Sequence, residues 1–164
     1  MQHEMHQVVR IEPSRQGSYF TLPFEVPQNI ELIQIEYQYQ RRPTDEQIFQ
    51  GGSFTATPEK NIIDLGLIDP RGRQVGASGS DKTEIQVSET YTTPGYTACR
   101  VEPGEWKIII GAYKVQPEGV EVNYHIRMTE KSLRLLKGDL HVHSIASDGV
   151  HTLQELALKA KAHG

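Results

Sequence analysis

The sequence predicts a mainly β protein: an antiparallel, jelly-roll-like β-sandwich followed by one strand–turn–helix unit. Three observations predict it. Apolar residues alternate at period two in several runs between Val8 and about Thr129. Turn residues separate those runs at the short spacing typical of sandwiches. Near Glu130 to Leu136 the pattern changes, and a 3.6-residue stripe follows.

Each run has its own signal. Tyr19 to Val26 is rich in aromatic and apolar residues and ends at Pro27. Ile30 to Tyr39 carries two competing alternations, of which Ile33, Ile35, Tyr37 and Tyr39 is the longer and marks the buried face. Ile63, Leu65 and Leu67 share one face of Asn61 to Asp69. Ile85 and Val87 do so in Thr83 to Glu89. Trp106, Ile108, Ile110 and Ala112 form the next stripe, and Val120, Val122, Tyr124, Ile126 and Met128 the last. Between them lie Pro43, Gly51-Gly52, Pro58, Pro70-Arg71-Gly72, Gly76 to Gly79, Pro94-Gly95, Pro103-Gly104 and Pro117-Glu118-Gly119. Residues 1–7 read as a disordered end, and residues 8–132 as the sandwich.

The last part, 133–164, differs. Lys137 to His143 is strand-like, and Ser144 to His151 is a polar turn. Thr152 and Glu155 have the spacing of a capping box, and Leu153, Leu156, Ala157 and Ala160 share one helical stripe. Gly164 stands where a helix would stop.

Bulk properties exclude some functions. Of 164 residues, 37% are hydrophobic and 23% charged, which fits a folded soluble chain. Net charge is −4 and no basic run exceeds Arg41-Arg42, which argues against nucleic-acid binding. The longest aliphatic run, Ile108 to Ile110, is too short to span a membrane. One cysteine, Cys99, cannot form an internal disulfide and reads as a small buried apolar group. The N-terminus has no apolar leader region, so a cytoplasmic location is expected.

Candidate chemistry concentrates near the C-terminus. His141 and His143 are two apart in an extended stretch, so both rings point the same way. Paired imidazoles are good metal ligands. Asp148, in a turn ending at Gly149, can fold back towards them. Asp139 lies on the histidine face and could orient an imidazole by accepting its ring N–H. By itself a His-x-His pair is weak evidence, because a surface strand can carry two histidines.

The context is richer. Asp139-Leu140-His141-Val142-His143-Ser144, then Ser147-Asp148-Gly149, then a capped helix with Glu155-Leu156 and Ala160-Lys161, resembles the opening segment of the PHP (polymerase and histidinol phosphatase) superfamily. The likeness covers about Lys137 to Gly164. It implies a distorted βα barrel, of which this chain holds one βα unit. It implies metal ligation by His141, His143 and Asp148, and hydrolysis of phosphate esters, or of other esters or amides, by metal-activated water. The later ligand motifs of that superfamily are not found here, and His3, His6 and His125 lie outside the unit. The chain therefore reads as the N-terminal portion of a longer hydrolase, inactive alone. The remaining barrel is its partner, zinc, manganese or iron its cofactor, and a small phosphate or carboxyl ester the parent's substrate. The earlier region resembles the accessory domain preceding the PHP domain in some bacterial members, including the carbaryl-hydrolase-like branch. The likeness rests on Asp64 to Gly72, Gly76 to Ser80 and Pro103 to Ile108. It also resembles jelly-roll-like modules appended to secreted bacterial peptidases.

Other readings stand beside these. The sandwich could instead bind a ligand or carbohydrate, or serve only as structure. Asp64, Asp69 and Asp81 near Gly-rich turns could hold calcium, although aspartate's own turn chemistry is the simpler account. Trp106, Tyr113 and Tyr124 could form a sugar platform, against which core packing is favoured. Tyr91 and Tyr96 are better candidates for exposed aromatic contacts. His3, third from the amino terminus, could chelate copper or nickel, against a disordered end. His151 and His163 read as solvated helix-flanking residues. The apolar surface of Leu140, Val142, Leu153, Leu156 and Ala157 should pack on the sandwich, form a homodimer, or stay disordered.

Overall fold

Alternating apolar and polar residues give a strand one buried face, and two such faces can close on each other. The computed structural model describes residues 1–43, 47–50, 53–56, 58–132 and 141–163; of 47–50, 53–56 and 163 it describes the backbone alone. Its strands are β1 Gln2–Ile11, β2 Ser18–Val26, β3 Ile30–Tyr39, β4 Gln47–Gln50, β5 Ser53–Ala56, β6 Ile62–Ile68, β7 Gln74–Ser78, β8 Glu84–Ser88, β9 Gly104–Lys114 and β10 Val120–Glu130. Among the described residues one α-helix, α1 Leu153–His163, follows, and a 3-10 turn spans Pro13–Arg15 between β1 and β2.

Eight strands form two antiparallel sheets, ordered β1-β10-β3-β8 and β2-β9-β6-β7. The pairs β1·β10, β2·β9, β3·β8 and β6·β7 are nested, as in a hairpin ribbon folded over on itself. That is the jelly-roll arrangement, and the fold is mainly β, with no closed barrel among the described residues. β4 and β5 make a separate hairpin. The first compact unit is Met1–Lys131 and the second Ser132–Gly164.

The core of the first unit is drawn from the alternating stripes. Ile33, Ile35 and Tyr37 of β3, Ile63, Leu65 and Leu67 of β6, Ile85 and Val87 of β8, and Trp106, Ile108, Ile110 and Ala112 of β9 are buried. So are Val120, Val122, Tyr124, Ile126 and Met128 of β10. Tyr37 and Trp106, both buried, find backbone partners, while the Tyr124 hydroxyl, also buried, makes no hydrogen bond among the described residues. Tyr37 Oη donates to Ile63 O (2.8 Å), and Trp106 Nε1 donates to Glu102 O (2.8 Å). Burial, then the neighbouring Tyr39, pushes the Tyr37 hydroxyl well above its ordinary range.

Several expectations need correction. Residues 2–7 are not a disordered end: they pair in register with β10, from Gln2↔Thr129 to Gln7↔Tyr124. His3 is part of this strand, and its Nε2 contacts Glu130 Oε1 at 2.7 Å. Gly76 lies in β7 and not in a turn. It has no room for a side chain, because a Cβ there would strike the Gly95 carbonyl and the Tyr96 ring. Tyr96 itself is buried, not exposed, and donates to Leu65 O at 2.8 Å. Burial pushes its hydroxyl up to about 12. Tyr91 is exposed. Trp106 and Tyr124 are core residues whereas Tyr113 is exposed, so these three form no common platform. Cys99 packs partly buried against the core, and burial first, then nearby Asp69, raises its thiol.

The turn at Asp69 shows aspartate chemistry at work. Its carboxylate accepts hydrogen bonds from Arg71 N (3.0 Å), Arg73 N (2.9 Å) and Arg73 Nε (2.7 Å). Burial alone would raise its pKa. The Arg73 backbone and guanidinium bonds, the guanidinium charge and the Arg71 N–H outweigh that and hold it below the usual carboxylate range. These donors occupy the carboxylate, as the turn chemistry of an aspartate predicts. Asp64 is half-buried, and burial raises its pKa; an N–H from Ser80 lowers it and the charge of Asp81 adds to the rise. Among the described residues, no three-donor cluster includes Asp64, Asp69 or Asp81.

Among the described residues, no helix is long and apolar enough to cross a membrane.

Candidate functional site

The second unit builds its site from a loop that folds on itself. Ser144 is buried and organises it. Its Oγ accepts from Ala146 N (3.2 Å), and its carbonyl accepts from Ser147 N (2.9 Å) and Gly149 N (3.0 Å). Ile145 N donates to His151 O at 2.9 Å, which closes the loop. These bonds satisfy backbone groups that a short irregular segment would otherwise leave without partners.

The same closure brings the chemistry together. The rings of His141 and His143 face each other, with centroids 4.7 Å apart and Nε2 atoms 2.6 Å apart. On the other edge of the His143 ring, Nδ1 contacts Asp148 Oδ1. The two imidazoles thus share a side, although residues 141–144 pair with no strand among the described residues. All three groups are exposed to solvent. Asp139, Leu140 and the first residues of the stretch expected from Lys137 lie outside the described residues, as do residues 133–136 of the boundary expected near Glu130 to Leu136.

The helix begins as the capping box requires. Thr152 N donates to Glu155 Oε2 (2.7 Å), and Glu155 N donates to Thr152 Oγ1 (3.1 Å). The Thr152 N–H, followed by its hydroxyl, holds the Glu155 carboxyl below its ordinary value. His151 is half-buried and its Nε2 lies 2.6 Å from Lys159 Nζ. The His163 side chain and Gly164 lie outside the described residues.

The donor set can be tested against a metal ion. Two imidazole nitrogens on one zinc stand about 3.3 Å apart, from Zn–N bonds of about 2.0–2.1 Å at the tetrahedral angle. An ion would therefore spread the His141–His143 pair by about 0.7 Å. Ring rotation in an exposed loop can supply that. Asp148 is differently placed: it meets Nδ1 of His143, the edge opposite the facing nitrogens. A carboxylate so placed can orient the imidazole.

A second cluster escaped the sequence reading. Glu4, His6 and His125 lie on one outer face of β1 and β10, with potential ligand atoms all within 4.8 Å of one another. It is the one group of three histidine, cysteine or carboxylate donors meeting that distance among the described residues. Only the β1–β10 register, His6↔His125, brings it together. The signal in the sequence was Glu4 and His6 at strand spacing, hidden in a segment read as disordered.

The chain matches no protein-family model and no curated protein.

Proposed function

We propose that this chain is the N-terminal portion of a metal-dependent hydrolase of the PHP kind, most simply a phosphoesterase, with His141 and His143 as metal ligands. The observation supporting it is the facing pair of Nε2 atoms, backed on the far edge of His143 by Asp148. With Asp148 on Nδ1, the ring is held in the tautomer that leaves Nε2 for a cation. Asp148 then acts as the orienting carboxylate or, after a side-chain rotation, as a third ligand. Asp139 is proposed as a further orienting acceptor.

Zinc, manganese or iron suits these donors. Such an ion supplies an activated water and stabilises the anion that develops as an ester is attacked. Two imidazoles and one carboxylate do not complete such a centre, so the proposal includes further ligands from the remaining barrel, and no turnover by this chain alone. Exposed Val142, Ile145, Val150 and Leu153 favour a βα unit whose apolar side is covered by more of the same domain. The test is hydrolysis of p-nitrophenyl phosphate by the longer protein with added zinc or manganese. Metal-dependent turnover lost in His141→Ala supports the reading; turnover unaffected by that change refutes it.

One observation favours a second role for the sandwich. On the outer face of β2, β9 and β6, Tyr19, 72% exposed, borders a shallow groove lined by Asp64, Gly66, Ala77 and Gly111. An exposed ring beside a carboxylate, over a floor that also includes Ile109, suits a sugar ring, which offers both a C–H face and hydroxyls. Glycan binding that is lost in Tyr19→Ala would support this role, and no binding to a broad glycan panel would remove it.

A further inference from the structure

We propose that Glu4, His6 and His125 form a binding site for a late first-row divalent cation, zinc foremost, on the outer face of the β1–β10 pair. Strand register brings the three donors together. Antiparallel pairing sets His6 directly opposite His125, and Glu4 precedes His6 by two residues on the same face. The two rings stack at a centroid distance of 4.0 Å and an interplanar angle of 15°. Glu4 Oε2 lies 3.5 Å from His125 Nε2. The donors are thus two nitrogens and one oxygen, held by two strands whose backbones are locked together.

An independent observation points to a ligand. His125 Nε2 is shielded from solvent and makes no hydrogen bond, its ion-pair contact with Glu4 being too long for one. A shielded ring nitrogen without a hydrogen bond is an unfavourable arrangement that a bound cation relieves. Arg127 stands opposite Glu4 in the β1–β10 register, and its guanidinium contacts are with Glu36 and Glu84. Glu36, opposite His125 on β3, is engaged by Gln38 Nε2 at 2.9 Å and by Arg127 at 3.9 Å. Arg127 also reaches Glu84 at 3.5 Å, so its charge is turned towards β3 and β8.

Ligation requires a modest change. Donor atoms on one zinc lie about 3.3 Å apart, so the rings must turn from parallel stacking until their nitrogens converge. Rotation about the side-chain torsions of partly exposed residues suffices, with the backbone unmoved. Three protein donors leave one tetrahedral position open to water. Imidazole nitrogens favour zinc, nickel or copper over magnesium. The ion would tie edge strand β1 to β10, so binding and folding stability are coupled.

The test uses the full chain carrying His141→Ala and His143→Ala, which removes the other histidine pair. Titration calorimetry with zinc chloride should give one equivalent bound, and zinc should raise the melting temperature. Adding His125→Ala, or separately His6→Ala, should weaken zinc by about 10-fold or more and abolish the thermal shift; Glu4→Gln should weaken it less. Magnesium should do neither. A double variant that binds no zinc, or zinc binding that persists unchanged in both the His6→Ala and the His125→Ala chains, overturns the proposal. Because His6 and Glu4 are exposed, their variants keep the test decisive even if His125→Ala fails to fold.

Discussion

Gly149 lies directly against the backbone of His143, so closely that a Cβ at 149 would overlap the His143 carbonyl. This contact sets where the loop turns and hence where Asp148 meets the His143 ring. A side chain at 149 must push the two segments apart, since the obstacle is backbone and cannot rotate away. Gly149→Val should therefore separate Asp148 from His143 and weaken zinc at the His141–His143 pair, leaving the sandwich intact. Amide spectra should show shifts confined to residues of the second unit; shifts spread through β9 or β10 would contradict this.

Asp148→Asn keeps the shape of the side chain but removes its charge. If the carboxylate orients His143 through Nδ1, zinc affinity at this pair should fall roughly 10–100-fold. Calorimetry on a His6→Ala background isolates the effect. An unchanged affinity would mean that the Asp148 contact has no bearing on metal binding.

Asp69 ties a turn of the sandwich through three protein donors, and its side chain is 4% exposed. Asp69→Asn should destabilise the first unit by about 1–3 kcal/mol, read from urea unfolding. The pH dependence follows from the direction of its shift. A carboxylate whose pKa is lower folded than unfolded contributes fully above its unfolded value, about 3.9, and loses that contribution as pH falls through the folded value. The stability gap between wild type and Asp69→Asn should thus be full near neutrality and shrink below about pH 4. A gap that widened in acid would contradict the assignment.

Trp106 and Tyr113 lie on one strand but on opposite faces. Trp106→Ala should cost about 3–5 kcal/mol, as a large buried side chain leaves a cavity. Tyr113→Ala should change stability by less than about 0.5 kcal/mol. Comparable losses for the two would contradict the register of β9.

These contrasts show which features the sequence made legible. Strands with a large apolar residue at every second position, such as β9 and β10, can be read directly, because burial of one face selects their register. β7 could not: Gln74-Val75-Gly76-Ala77-Ser78 holds one large apolar residue, and its glycine, which a reader assigns to a turn, is there to admit Tyr96. β1 was hidden because His3 and Gln7 place polar groups among Met5, Val9 and Ile11 on its inward side. The His141–His143 spacing was visible, and the capping box set the start of the helix. That Asp148 would meet the far nitrogen of His143 depended on the Ser144 and Gly149 bonds, which no spacing rule reports. The Glu4–His6–His125 cluster required a pairing between the two ends of the sandwich, which local sequence does not encode.

The claim that His141 and His143 hold a metal is tested most directly by long-range proton–nitrogen spectra of the full chain with nitrogen-15-labelled histidine. On adding zinc, the Nε2 resonances assigned to His141 and His143 should move to the range of metal-bound imidazole, while Nδ1 of His143 stays protonated against Asp148. Resonances of both residues that remain unchanged at saturating zinc would contradict the account.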